Sequence, residues 1–161
     1  MIGVFGYRKV VDLLRHSAES PTVRSASKIK VSKHKEAHVT WDEVEDFFTK
    51  ALSSKRGKRF IFEIESDIYK DIYFQGYSEP DASRTIEAAA DLSVRPKLSD
   101  AQKLAMSAIG WDLPSEDLPN FIMFLDKEES DDLALAEIFV LSLREGYGLE
   151  LGSFRVIAPS R

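Results

Sequence analysis

Residues 60–94 read FIFEIESDIYKDIYFQGYSEPDASRTIEAAADLSV, and three alternating runs in that stretch decide the fold. Phe60, Phe62 and Ile64 alternate with Ile61, Glu63 and Glu65, the two-residue period of a strand with one core face. Ile68–Tyr77 follows, rich in the Ile, Tyr and Phe that suit a pleated sheet. Ser78-Glu79-Pro80-Asp81 supplies a turn in which proline pre-sets the backbone. Residues 85–94 alternate again, with Ile86, Ala88, Ala90, Leu92 and Val94 on one side and Glu87 and Asp91 on the other. Three consecutive strands with short links predict an antiparallel meander.

Helix signals flank this meander. Thr40 followed by Glu43 is a capping box, and Trp41, Val44, Phe47, Phe48, Ala51 and Leu52 recur at helical spacing as far as Ser53-Ser54. Arg95-Pro96 stops the third strand. Ser99 with Gln102 is a second capping box; it opens a helix with Leu104, Ala105, Ala108 and Ile109 expected inward and Gly110 as C-cap. Phe121–Leu125 is a short all-apolar run, read as a buried strand. Ser130-Asp131-Asp132 can cap a long helix reaching about Glu145, with Leu133, Ala136, Val140 and Leu143 as one stripe. Residues 151–157 can add a last strand. The order α-β-β-β-α-β-α(-β) predicts an α+β domain over 40–161, helices on a mainly antiparallel sheet.

The chain has 161 residues, 43% hydrophobic, enough for one core. It contains no apolar run of about 18 residues, so no membrane insertion is expected. The residues MIGVFGYRKVVDLLRHS make a poor signal peptide, because charges interrupt the apolar stretch. The net charge of −5 hides a split. Residues 1–40 hold eight basic side chains and three acids, net +5; residues 41–161 hold 14 basic and 24 acidic side chains, net −10. Residues 1–16 predict a short helix with Tyr7, Val11 and Leu14 on one face; residues 17–39 read as a flexible basic linker, too poor in large aliphatics to offset ordering.

Little of this is catalytic. The chain has no cysteine, which removes disulfides, thiolate metal sites and a Cys nucleophile. Its three histidines, His16, His34 and His38, all fall in the arm, so no metal or catalytic His remains in the body. Asp126, Glu128, Glu129, Asp131 and Asp132 lack the ligand spacing and central glycine of a calcium loop and read better as a helix N-terminus. Glu63 and Glu65 read as solvated strand positions rather than a catalytic pair. No cofactor is called for. The lysine-rich arm has no interleaved aromatics, so a solvated linker is favoured over a nucleic-acid contact.

One resemblance spans residues 41–145. A tryptophan-led helix (Trp41), a central strand with Tyr73-Phe74-Gln75, then Ile109-Gly110-Trp111, Pro114 and Asn120-Phe121 resemble the YbjN-like, type III secretion chaperone-like family, in its actinobacterial TY-Chap branch. Gly76 departs from the pattern, standing where an aromatic is usual. The resemblance implies a cytoplasmic, non-catalytic module that holds a partner polypeptide, with a homodimer as an expected assembly. It implies mainly structural roles for Trp41, Tyr73, Gln75, Gly110, Trp111, Pro114 and Asn120, and partner contact for Tyr73, Gln75 and Tyr77. Two alternatives stand beside it: a small-ligand binder or enzyme with a carboxylate/Tyr/Arg pocket, and a regulator that binds nucleic acid or membrane through the basic arm.

Overall fold

A computed structural model describes residues 40–54 and 59–158. The N-terminal helix and basic linker read over 1–39 lie outside the described residues. Helix α1 (Trp41–Ser53) begins where Thr40 accepts a hydrogen bond from the Glu43 amide (3.2 Å). It buries Val44, Phe48 and Leu52, spaced by four. Strands β1 (Phe60–Ser66), β2 (Ile72–Ser78) and β3 (Arg84–Ala88) form the meander. Helix α2 (Asp100–Ile109) follows, opened by a complete Ser99/Gln102 capping box and closed at Gly110 with φ 122°. Strand β4 (Phe121–Leu125) leads to helix α3 (Asp132–Leu141), capped by Asp131. A π-helical turn (Ser142–Gly146) and strand β5 (Phe154–Ile157) complete the domain. The expected α+β order is the observed one.

The five strands lie in the order β4-β3-β2-β1-β5, every neighbour antiparallel. The link from β4 to β5 therefore spans the whole sheet, and α3 makes the crossing. One face of the sheet carries the core. Phe48 of α1 and Phe139 of α3 meet Phe62 and Phe74 from the sheet, with ring centroids 4.6–6.1 Å apart. Each such buried ring contributes about 2–3 kcal/mol through removal of apolar area from water. Where α1 ends and α3 begins, the buried Asp132 carboxylate accepts from Arg84 Nη2 (2.8 Å) and from Ser53 Oγ (2.9 Å), tying two helices to β3.

Gly76 is explained by this packing. It sits opposite Phe60 in the β1–β2 register. A Cβ there would fall 2.6 Å from the Phe60 ring and 2.8 Å from the Thr85 carbonyl, so a larger residue would push β1 or β3 away.

Several sequence readings need correction. Strand β2 starts at Ile72 and not Ile68, because the Ser66 hydroxyl accepts from the Ile68 and Tyr69 amides and holds that stretch in a turn. Strand β3 ends at Ala88 and not Val94: the Ser93 and Val94 amides bond to the Ala90 carbonyl, and Leu92 is left 70% exposed. Leu104, Ala108 and Leu133, expected inward, face solvent; Ile109 is buried as expected, and Met106 takes the other inward position of α2. In β4, Phe124 is 67% exposed, because only one face of the sheet is covered.

Candidate functional site

The face of the sheet away from the helices defines the site. Side chains alternate along each strand, so the residues between the core positions point there, although Ile122 is buried. The register places them in rows. Tyr77, Thr85 and Phe124 form one row; Ile61, Gln75, Glu87 and Ile122 form the next; Glu63, Tyr73 and Ile157 form the third. Ile61, Tyr77 and Phe124 are exposed there, an unusual concentration of apolar surface beside charges.

An open groove of about 930 Å³ runs over the β1–β2 part of this face. Ile61, Glu63, Glu65, Tyr73 and Gln75 line its floor; Tyr69, Lys70, Asp71, Leu92, Ser93 and Arg95 come from the loops at one end. Several of these side chains are held in place. Gln75 Nε2 donates to a Glu87 carboxylate oxygen across the strand pair. Asn120 Nδ2 donates to the Tyr73 hydroxyl (2.8 Å). Gln102 of α2 donates to the Tyr69 hydroxyl (2.8 Å) and to the Tyr147 carbonyl (2.9 Å), so one amide links the groove wall to the π-helical turn. Arg155 pairs with Glu65 from the neighbouring strand. Among the described residues Glu63 forms no ion pair, and no cluster of His, Asp and Glu suited to a metal ion occurs.

The family-motif residues divide into two groups. Tyr73, Gln75 and Asn120 meet on the open face, although Asn120 lies 47 residues from Tyr73. Tyr77 shares that face one row beyond the groove. The others belong to the helix-covered side or its rim. Trp41 stacks on Phe154 with ring centroids 5.6 Å apart. Gly110 ends α2 in a positive-φ conformation that suits glycine. Trp111 is buried; its indole N–H donates to Ser142 Oγ (2.8 Å), which in turn donates to the Ile138 carbonyl (2.7 Å). A serine bonded back to the preceding turn loosens a helix there, and the π-helical turn begins at that residue. Pro114 is half-buried in the loop before β4. Nearby, Tyr147 is fully buried and donates to the Ala89 carbonyl (2.6 Å). Burial, with the Tyr73 phenol adding to it, pushes the Tyr147 hydroxyl well above the usual tyrosine range.

Ile61, Lys70, Leu92 and Arg95 were not picked out by the sequence reading as site residues. Ile61 had a signal, since it interrupts the charged side of an alternating strand. The loop residues had none, because only the turn geometry brings residues 69–71 beside residues 92–95.

No curated protein and no solved structure matches this chain. A family model does: the one described as T3SS (YopN, CesT) and YbjN peptide-binding chaperone 3 matches residues 34–154, well over half of the sequence. With an α+β sheet covered by helices on one face and the Tyr73, Gln75 and Asn120 side chains gathered on the other, the chain belongs to the TY-Chap3 family of peptide-binding chaperones.

Proposed function

We propose that this domain holds a segment of a partner polypeptide in extended form across the open face of its sheet, without a catalytic step. The observation that carries the reading is the uncovered face itself: an open groove whose floor mixes Ile61 and Tyr73 with Gln75 and Glu63, continued by the exposed Tyr77 and Phe124. Membership of a peptide-binding chaperone family supports it. An extended chain can match the two-residue period of such a face, with apolar side chains over Ile61 and Tyr77 and polar ones over Gln75 and Glu87. The groove is open to solvent rather than enclosed, which suits an extended chain better than a small molecule buried on all sides. Its carboxylates are either tied to a neighbour, as Glu65 is to Arg155, or open to water, so the reading involves no acid–base pair and no cofactor. Action in the cytoplasm, and a second copy as dimer partner, belong to the same reading.

The test is site-specific photo-crosslinking in the native cell. A photoreactive residue at Tyr77 or Gln75 is expected to capture polypeptide, and one at the helix-side surface position Glu137 is expected to capture much less. Equal capture at both positions, or capture only from the helix side, would overturn the assignment of the face.

A further inference from the structure

We infer that Lys70 and Arg95 form a cationic clamp for an acidic side chain of the bound segment, and so determine which extended polypeptides the groove accepts. The inference rests on the peptide-binding reading above and adds the chemistry of the partner.

The geometry begins in the backbone. The Lys70 amide donates to the Arg95 carbonyl (2.8 Å) and the Arg95 amide to the Lys70 carbonyl (3.2 Å), an isolated antiparallel bridge outside the five strands. Residues that exchange both hydrogen bonds stand directly opposite, so their side chains leave on the same side of the ladder. Two like charges directly opposite destabilise a strand pair. Nothing in the fold relieves this one: among the described residues neither Lys70 nor Arg95 has a salt-bridge partner, although Asp71 and Glu63 line the same groove.

Arg95 is also held in place. Its Nη1 donates to the Asp91 carbonyl (2.7 Å) and to the Val94 carbonyl (2.8 Å), leaving the rest of the guanidinium free beside the groove. A guanidinium positioned in advance loses less side-chain entropy when it meets a carboxylate. Tyr69, anchored by Gln102, stands next to the pair, and Leu92 and Ile61 offer exposed apolar contacts beside it. Glu63 and Asp71 make the groove polarised rather than uniformly basic. The occupant that complements this arrangement is an extended segment of mixed charge. One Asp or Glu meets Lys70 and Arg95, an apolar residue beside it meets Leu92 and Ile61, and uniformly acidic chains are repelled from the floor.

The experiment selects short random peptides, displayed on phage, against the full chain, then measures the selected peptides as synthetic amides and free acids. Selected peptides are expected to carry Asp or Glu next to an apolar residue. Replacing that acid by its amide is expected to weaken binding about five- to tenfold, as for a carboxylate facing two partly exposed cations. Lys70→Glu/Arg95→Glu should abolish the preference. Lys70→Gln, which leaves the Arg95 hydrogen bonds intact, should reduce it in a protein that melts like the parent. Peptides selected without acidic residues, or amide replacements that bind as tightly, would overturn the clamp while leaving peptide binding in place. Loss of binding on capping the peptide C-terminus would overturn the assignment to a side chain. Failure to select any peptide, or selected peptides that bind Ile61→Glu/Tyr73→Glu unchanged, would overturn both the clamp and the reading beneath it.

Discussion

The two faces of one strand behave as different materials. On β2, Ile72, Phe74 and Gly76 are buried against helices, while Tyr73, Gln75 and Tyr77 look outward. The inner set is fixed by shape. Phe74 stacks on Phe139 at 4.6 Å and lies near Trp111, and Gly76 has no room for a methyl group. The outer set is fixed by a few hydrogen bonds, Gln75 to Glu87 and Tyr73 to Asn120, and otherwise meets water. Packing density makes the inner face intolerant of change, whereas the outer face can change without unfolding the domain.

The largest expected effect tests that contrast within two adjacent residues. Phe74→Ala should lower unfolding free energy by about 3–5 kcal/mol in denaturant melts, through lost burial plus a cavity. Tyr73→Ala should cost roughly 1–2 kcal/mol, the loss of one hydrogen bond and some half-buried ring area. Equal losses would erase the distinction between the faces.

A middle-sized effect concerns Tyr147, which the core holds neutral. Tyr147→Phe should cost about 1–2 kcal/mol at pH 7, because the buried Ala89 carbonyl loses its donor. The folded-state pKa is raised, so the contribution is fully present below the unfolded tyrosine pKa of about 10 and is lost as pH rises through the folded value. The stability gap between parent and variant should therefore narrow above pH 10 in denaturant melts. A gap that widens there would show that the phenol ionises readily in the folded protein.

The smallest effect on stability sharpens the functional side of the comparison. Phe124→Ser, on the open face, should change unfolding free energy by no more than about 0.5 kcal/mol. The same change should reduce capture of polypeptide by a crosslinker at Tyr77, two strands away in the same row. Unchanged capture would confine the binding surface to the groove.

Local chemistry was readable in the sequence wherever it was self-contained. Thr40, Ser99 and Asp131 cap helices within three residues of themselves, and Phe60–Ile64 announces its buried face by alternation alone. Readings failed where the local pattern was ambiguous. Ile68 and Tyr69 look like strand but serve a turn set by Ser66. Leu92 continues an apolar alternation after its strand has ended, and Leu104 has helical spacing but points away from the core. Of the groove, Tyr73 and Gln75 stood out through the family pattern, whereas Lys70 and Arg95 carried no signal.

By itself the sequence determined the element order, the caps, the core faces of β1 and β3 and the absence of cysteine, because all of these depend on residues close in the chain or on composition. Only the tertiary structure decided which face of the sheet stays uncovered, and it alone brought Asn120 to Tyr73 and set Lys70 opposite Arg95. The first pairing follows from β4 returning beside β3 after helix α2, and the second from two turns that bring residues 69–71 beside residues 92–95. Neither leaves a periodic trace in the sequence.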